Sequence, residues 1–271
     1  MPVSRQSISS ESLKRVIIRY DFKGVTSIDA WIAEIKQKYC SKFFREYNIG
    51  EHGQATIDVQ NLEEISERLS IPLSEVSRQP LHQFSGSTFN GLQDLVQLEI
   101  TRFSITLVVE CRNYVSIDPY LDFINTLVLS LLDTDAFIRI ERIGIRKLDG
   151  FQFETWNDLV ANLNQSIIGS LTDLIEDTAL LRDYTDSWYW KQFRAKINFK
   201  RKIRNVQLVS EDHVYQVVLD MDAYTDDEIM QIPDIIDEGF LKKETQRLNS
   251  ALFEIFIKSI TEQYIMYHAK E

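Results

Sequence analysis

Cysteine, glycine and proline are all scarce in this chain of 271 residues, and each shortage excludes a class of protein. Two cysteines, Cys40 and Cys111, are too few for a disulfide framework and are typical of a reducing compartment. Nine glycines and five prolines exclude collagen-like and low-complexity chains. The longest apolar runs, such as residues 127–132, are far shorter than the roughly 20 residues of a membrane-spanning helix. We therefore expect a globular protein that does not associate with membranes.

The charge balance limits the partners that the surface as a whole can bind. A formal net charge of −11 disfavours general binding of nucleic acids or membranes, although it is compatible with one local basic patch. Residues 1–12 are polar and are expected to form a flexible tail, and they lack the apolar core of a signal peptide. Together with the few cysteines, this predicts a cytoplasmic location.

Sequence motifs of the common enzyme classes are missing as well. The sequence has no glycine-rich phosphate loop, no GxSxG, no HExxH and no CxxC. Its four histidines, His52, His82, His213 and His268, are scattered, and no two of them have metal-ligand spacing. We therefore predict no metal and no other cofactor. Catalysis is disfavoured, although catalytic groups that converge from distant positions would leave no such motif.

Apolar periodicity predicts the elements of the first half of the chain. The strands are predicted at residues 14–22, 54–60, 95–101 and 103–111, and the helices at 28–47, 61–69 and 117–131. Gly24 is expected to end the first strand, and Thr26 or Ser27 is expected to cap the first helix. The segment from 71 to 90 is rich in Ser, Gln and Pro and is predicted to have little regular structure.

The second half shows the same kinds of pattern. The strands are predicted at residues 137–148, 189–209 and 214–222, and the helices at 155–175 and 240–267. Gly150 is expected to end the strand at 137–148. Residues 226–238 are acidic and are predicted to be irregular.

The order of these elements predicts an α+β fold. Strand pairs that close over a few residues favour a mostly antiparallel sheet, with helices packed on one side. Residues 1–134 and residues 135–271 both follow the order strand, helix, strand pair, helix. Duplication of one β-α-β-β-α unit and a chance match of element order both explain this similarity, and the sequence leaves the choice open.

The strand near the midpoint of the chain carries an unusual set of side chains. In FIRIERIGIRKLDG, Arg142, Gly144 and Arg146 lie at alternate positions, so an extended strand directs all three to one face. A glycine inside a strand often marks the close approach of another group. Because the planar guanidinium suits carboxylates and phosphates, these three residues are a candidate ligand site. The alternative is a structural one, in which both arginines pair with acids of the fold.

A second basic segment lies at residues 191–204. It holds seven basic residues and no acid, and alternation separates a basic face from an apolar one. A candidate polyanion site on the basic face consists of Arg194, Lys196, Lys200 and Lys202, with Trp190 as a stacking group. The alternative is pairing within the fold, because residues 205–240 hold ten acids and no Lys or Arg.

The midpoint strand also resembles a known family. Residues 142–149, RIGIRKLD, are similar to the signature R-I/V-G-L/V-R-Y-I/L/V-N of a sporadically distributed family of uncharacterised bacterial and archaeal proteins. The opening strand at 14–22 and the closing helix around residues 248–262 are similar to those of the same family. Lys147, Asp149 and Asn249 depart from its usual tyrosine, asparagine and histidine. The resemblance implies one α+β protein with no accepted enzymatic activity, and an accessory role in a defence or mobile-element locus.

Two hypotheses for the function follow from these observations. The first is a non-enzymatic protein-interaction or scaffold protein that forms a homodimer or binds a partner protein. The supply of aromatic residues and the missing catalytic motifs favour it. The alternative is a nucleotide- or nucleic-acid-binding module that uses one of the two basic strand faces.

Overall fold

The computed structural model describes residues 11–51, 80–87, 89, 94–168, 183–192, 194–207, 213–225 and 236–268. In these residues nine strands form one antiparallel sheet, and six α-helices are present. The predicted α+β class with a mostly antiparallel sheet is confirmed. The strand predicted at 54–60 and the helix predicted at 61–69 lie outside the described residues. So do most of the tail and most of the acidic segment after residue 225.

The elements are numbered here in chain order. The strands are β1 (Leu13–Lys23), β2 (Glu46–Glu51), β3 (Pro80–Gly86), β4 (Leu95–Ile100), β5 (Ser104–Glu110), β6 (Arg139–Phe153), β7 (Asp183–Gln192), β8 (Ala195–Gln207) and β9 (His213–Thr225). The helices are α1 (Asp29–Lys38), α2 (Asp118–Leu132), α3 (Trp156–Asn162), α4 (Gln165–Ile168), α5 (Glu238–Ser259) and α6 (Glu262–Tyr267). The strand order in the sheet is β2-β3-β4-β5-β1-β6-β9-β8-β7.

The described residues group into two compact units. Those within Ile17–Gly144 and Asp227–Glu244 form one unit, and those within Met1–Val16, Ile145–Asp226 and Thr245–Glu271 form the other. We refer to them as the α2 unit and the β8 unit, after the elements that they contain. The duplication of a β-α-β-β-α unit across residues 1–134 and 135–271 stays a prediction.

The core of the α2 unit lies between β1 and α2. Alternate residues of β1, among them Ile18, Tyr20 and Phe22, are fully buried, as strand periodicity requires. Tyr20 donates a hydrogen bond from its hydroxyl to Oδ1 of Asn125 on α2, at 2.5 Å, so the buried polar groups satisfy each other. The apolar stripe of α2 is buried as its spacing predicted, and Pro119 lies in the first turn.

The core of the β8 unit is built from strand residues of one parity and from the C-terminal helices. Ile197 and Ile203 of β8 are fully buried, as are Val217, Leu219 and Met221 of β9. On β6, the ring of Phe151 lies 6.4 Å from that of Phe256 on α5 and 5.6 Å from that of Tyr264 on α6. These aromatic contacts fasten the C-terminal helices to the sheet.

The first helix is shorter than predicted, and its cap differs. α1 ends at Lys38, a short 3-10 turn follows at Cys40–Lys42, and β2 begins at Glu46. Ile28 occupies the N-cap position and makes no side-chain cap, so neither Thr26 nor Ser27 has that role. The aromatic residues after Lys38 keep helical spacing but pack elsewhere: Tyr47 lies on β2 with its ring 4.7 Å from that of Phe84. Tertiary packing has overridden the helical pattern.

The predicted long strand at 189–209 is a hairpin. β7 begins at Asp183, and Gln192 pairs with Ala195 of β8, so the chain reverses between them. Arg194 has a φ of 57°, the left-handed conformation that such a tight reversal needs. The sequence carries no glycine, asparagine or proline there, and the turn therefore leaves no signal in it.

Three other predictions are corrected. Gly150 does not end β6, which continues to Phe153. The N–H of Gly150 donates to the carbonyl of Ser12 at 2.8 Å. A Cβ at Gly150 would lie 3.2 Å from Cγ of Lys14. Glycine there permits a close approach and does not terminate the strand. The segment at 71–90, predicted to have little structure, contains β3. The last helix is broken after Ser259, where Thr261 caps α6 by accepting a hydrogen bond from the N–H of Tyr264.

Candidate functional site

β6 separates two kinds of side chain, as its sequence predicted. Ile143 and Ile145 are fully buried on one face, while Arg142 and Arg146 project from the other and are half-buried. Gly144, between the two arginines, is buried. The three predicted ligand-binding residues therefore do share one face of the strand.

Arg146 is bound to an acid of the neighbouring strand. Its Nε donates to Oδ1 of Asp220 on β9 at 2.7 Å, and its Nη2 donates to Oδ2 at 2.6 Å. Both ends of the guanidinium fork thus bind one carboxylate, which is the strong two-point geometry for this pair. The side chain of Asp220 is only 16% exposed, so solvent screens the pair incompletely.

Arg142 belongs to a row of alternating charges in the α2 unit. Its Nε lies 4.0 Å from Oδ2 of Asp21 on β1, and Nε of Arg19 donates to Oδ1 of the same carboxylate at 2.7 Å. The Asp21 side chain is 3% exposed, so it is a buried carboxylate between two cations. Arg19, Asp21 and Arg142 therefore alternate in sign. On β4, burial raises the pKa of Glu99, and hydrogen bonds from Gln97 and Gln83 and the positive charge of Arg19 oppose this effect.

These contacts bear on the two alternatives for the face of β6 that carries Arg142, Gly144 and Arg146, which we call the arginine face. Both arginines lie against acids, and the acids come from adjacent strands of the sheet. The arrangement can fix strand positions through charge-assisted hydrogen bonds without any ligand. Ligand binding at Arg142, Gly144 and Arg146 stays a prediction.

Three residues that depart from the family signature lie away from the arginine face. Lys147, Asp149 and Asn249 are all buried, at 7%, 4% and 8% exposure. Oδ1 of Asp149 accepts a hydrogen bond from the hydroxyl of Ser12 at 2.9 Å. Asp149 therefore holds the residue before β1 against β6, which is a structural role.

The lysines of β8 share one open face. Ala195, Ile197 and Phe199 are buried on the opposite face, at 4% exposure or less. Lys196, Lys200 and Lys202 therefore project together, as alternation predicted, and Lys200 is exposed. We call this side of the β7–β8 hairpin the lysine face, made of Lys191, Lys196, Lys200, Lys202, Arg204 and Tyr189.

Two of the residues predicted for the polyanion site lie elsewhere. Arg194 lies at the chain reversal and has left the strand. Trp190 pairs with Ile197, which places it on the buried side of the hairpin, whereas Tyr189 pairs with Asn198 and shares the lysine face. Tyr189 is 56% exposed. The sequence did not predict Tyr189, because its place on this face depends on a turn that contains no glycine, asparagine or proline.

Acids of the neighbouring strands lie along the lysine face. Directly opposite the lysines, Lys200 faces Asp220, while Lys196 faces Tyr224 and Lys202 faces Val218. Asp220 is also the residue that binds the fork of Arg146. Asp222 faces Asn198, at a diagonal to Lys196 and Lys200. On the other side of β8, Asp183 faces Arg204, and Lys196 and Lys202 also interact with groups of the fold. These contacts fit the structural alternative, pairing within the fold, and polyanion binding stays a prediction.

A buried arginine on the other side of the hairpin was not foreseen. Arg201 is 3% exposed, and its Nε donates to Oδ1 of Asp186 on β7 at 3.0 Å, while its Nη2 donates to Oδ2. Its guanidinium lies 5.0 Å from the ring of Tyr184 and 5.1 Å from that of Trp188. The sequence does indicate its burial, because Arg201 lies two residues from both Phe199 and Ile203 and so shares their buried face.

The α2 unit also contains a cavity and a buried cysteine. A cavity of about 370 Å³ is lined by residues including Arg45, Glu46, Gln97 and Glu110, a mixture of charges on β2 to β5. Burial raises the pKa of the Cys40 thiol to about 12, so the thiolate is not formed at neutral pH. Within the part of the chain that the structure describes, no group of His, Cys, Asp and Glu could hold a metal ion. No described helix has the length and apolar character that a bilayer crossing needs.

Comparison of the chain with protein-family models gave no match, and comparison with curated proteins gave none either. Membership of the family that residues 142–149 resemble therefore stays a prediction.

Proposed function

We propose that this chain is a non-enzymatic protein-interaction module that binds through the edge of β7, and that its first partner is a second copy of the chain. The observation that carries the proposal is the composition of this edge. β7 is ten residues long, ends the sheet, and exposes 43% of Trp188 and 56% of Tyr189. Among the described residues it has a strand neighbour on one side only, β8.

Long aromatic edges are rare because they pair with other strands. Folded proteins usually protect an edge by keeping it short, charged or interrupted by proline. β2, at the other end of the sheet, follows this rule: it has six residues and begins and ends with glutamate. β7 has no proline and carries four aromatic residues. The contrast supports strand addition at β7, in which backbone hydrogen bonds give affinity and side chains give specificity.

Trp188 is held in place before any partner binds. Its ring lies 5.4 Å from that of Phe199 and 5.1 Å from the guanidinium of Arg201, which Asp186 fixes in turn. Tryptophan and arginine dominate the energy of many interfaces, especially where little side-chain freedom is lost on binding. Trp188 is therefore the anchor that we expect to contribute most.

Sedimentation equilibrium over a range of protein concentrations tests the proposal. We expect concentration-dependent self-association that Trp188→Lys weakens by at least about 2 kcal/mol, or about thirtyfold in Kd. The matched control is Ile49→Lys, which places the same charge on the exposed side chain of the β2 edge, where 64% of Ile49 is accessible. Self-association should be retained in this control.

A strictly monomeric chain at every concentration contradicts the proposal. So does equal weakening by Trp188→Lys and Ile49→Lys, because the effect would then follow from charge alone. Thermal unfolding of both variants shows whether the fold is intact.

A further inference from the structure

We infer that the cavity of the α2 unit binds a free α-amino acid with an aliphatic side chain. The cavity has a volume of about 370 Å³ and is lined by residues of β2 to β5 and of the adjoining loops. Ligand pockets of proteins usually exceed about 300 Å³, so this one suits a small molecule. The β7 edge belongs to the other unit and contributes no residue to this lining.

One row of side chains across four strands lines the cavity. Glu46 of β2 faces Ser85 of β3. Ser85 also faces Gln97 of β4, which in turn faces Val108 of β5. Residues directly opposite each other project to the same side of a sheet. The row therefore presents a carboxylate, a hydroxyl, an amide and an apolar side chain, in that order.

The amide of Gln97 is oriented by a buried acid. Its Nε2 donates to Oε1 of Glu99 at 2.5 Å, and Glu99 is only 5% exposed. This contact holds the nitrogen toward Glu99 and leaves the carbonyl oxygen of Gln97 as an acceptor for a ligand. With the Glu46 carboxylate and the Ser85 hydroxyl, it gives three acceptors on three adjacent strands. An ammonium group has three donors, so this set suits one.

A cation, Arg45, lies beside this row. Its backbone N–H donates to the carbonyl oxygen of Ser85 at 3.0 Å, so Arg45 and Glu46 both adjoin Ser85. Both side chains are exposed and line the cavity. Within the described part of the chain, neither side chain forms an ion pair or a hydrogen bond. Their opposite charges are therefore available to a ligand.

The β3 wall of the cavity is held by backbone contact. A Cβ at Gly86 would lie 2.5 Å from the carbonyl oxygen of Phe43, so glycine lets the two backbone segments touch. The ring of Phe43 is itself stacked on that of Phe89, at 4.7 Å. A wall fixed in this way loses little freedom when a ligand binds.

The mixture of charges selects a zwitterion. An anion alone would lie beside the carboxylate of Glu46, and a cation alone would lie beside Arg45. An α-amino acid carries both charges on neighbouring groups, and the planar guanidinium suits its carboxylate. Leu95 and Val108 are half-buried in the lining and give apolar surface to an aliphatic side chain. Glu110 also lines the cavity but has a contact of its own in the fold, so Glu46 is assigned to the ammonium.

Isothermal titration calorimetry of the full chain with L-leucine tests the inference. We expect saturable binding of one molecule per chain. L-leucinamide lacks the carboxylate and isocaproate lacks the ammonium, so each should bind about tenfold or more weakly, as for the loss of a charged hydrogen bond. Glycine lacks the aliphatic side chain and should also bind more weakly than L-leucine.

Two substitutions assign the charges of the ligand to residues. In Arg45→Gln the preference for L-leucine over L-leucinamide should be lost, because only L-leucine has a carboxylate for Arg45. In Glu46→Gln the preference for L-leucine over isocaproate should be lost for the corresponding reason. Lys42→Gln is the matched control, since Lys42 is an exposed cation of the same unit outside the cavity lining. Thermal unfolding shows whether each variant is folded.

Three results would overturn the inference. The first is no saturable binding of L-leucine at about 10 mM, which is tenfold above a millimolar Kd. The second is equal affinity of the parent chain for L-leucine and for either analogue that lacks one charge. The third is equal weakening by Arg45→Gln and Lys42→Gln, which would place the ligand elsewhere. Trp188→Lys should leave L-leucine binding unchanged, so this test is independent of the self-association test.

Discussion

Arg146 and Asp220 form a two-point ion pair between β6 and β9, with donor–acceptor distances of 2.7 and 2.6 Å. The same carboxylate lies opposite Lys200 of the lysine face. A carboxylate has about four acceptor sites, so Asp220 can bind Arg146 and still offset the charge of Lys200. One acid therefore binds Arg146 of β6 and lies opposite Lys200 of β8.

Asp220→Asn should lower stability. The substitution removes a charged acceptor from Arg146, which should lower the free energy of unfolding by about 1–2 kcal/mol for this partly exposed pair. Urea denaturation measures the effect. The control Asp133→Asn, at an exposed helix end, should change stability little. An unchanged stability of Asp220→Asn would show that the pair is not structural.

Asp21→Asn should be the most destabilising of these substitutions. Asp21 is a buried carboxylate beside Arg19 and Arg142, so its neutralisation leaves two poorly solvated cations together. Loss of one partner from a buried ion pair costs about 3–5 kcal/mol. The control is Asp122→Asn, because Asp122 pairs with Lys242 at 3.7 Å on the surface and should contribute less than about 1 kcal/mol. Urea denaturation compares them, and equal effects would contradict the structural role of the charge row.

His82 should make stability fall in mild acid. The side chain is 5% exposed, its Nδ1 lies 2.9 Å from the hydroxyl of Tyr47, and no described group accepts a hydrogen bond from its Nε2. Burial lowers the pKa of His82, and the negative charge of Asp29 opposes this effect. The unfolded chain therefore binds a proton at a higher pH than the folded chain does. The contribution of neutral His82 to the free energy of unfolding should be fully present above the unfolded pKa of about 6.5. It should be lost as the pH decreases through the folded pKa.

His82→Gln should flatten this part of the pH profile. Midpoints of urea unfolding between about pH 5 and pH 8 cover the range in which histidine titrates. His213→Gln, at the exposed start of β9, should keep the profile of the parent chain. A decline that persists in His82→Gln would assign it to other groups.

Gly24→Ala should destabilise the α2 unit. Gly24 has a φ of 88°, and a Cβ at this position would overlap the carbonyl oxygen of Phe137. Both the strained backbone and the overlap oppose a side chain, so we expect a loss of about 2 kcal/mol or more. Gly50→Ala is the control, because nothing lies within 4 Å of a Cβ there. Thermal unfolding should show little change for Gly50→Ala, and similar melting of the two variants would contradict the steric argument.

Local patterns predicted the elements whose apolar residues recur with the period of a strand or a helix. β1, the β4–β5 pair and α2 follow from apolar spacing, because each buries one regular face. The extent of α1 and the position of β2 could not be predicted, because Tyr47 packs against Phe84, a residue distant in the chain. The β7–β8 turn has no turn residue to reveal it.

The candidate sites, like the fold, could be predicted only in part. Alternation identified the shared face of Lys196, Lys200 and Lys202, since this needs only the direction of β8. The position of Tyr189 on this face follows from the register between β7 and β8. That register depends on a turn that the sequence does not reveal. The partners of Arg142 and Arg146 come from β1 and β9. They could not be predicted, because the order of strands in a sheet cannot be derived from any one segment of the sequence.

The position of β1 in the sheet has a consequence for synthesis of the chain on the ribosome. β1 is translated before the other described strands, yet it lies between β5 and β6 in the finished sheet. Its neighbours are therefore translated long after it, and β6 is not complete until residue 153. Such distant pairings slow folding, because a long loop must close before they form. The buried residues of β1 thus remain exposed to other nascent chains and to chaperones until β6 has been made.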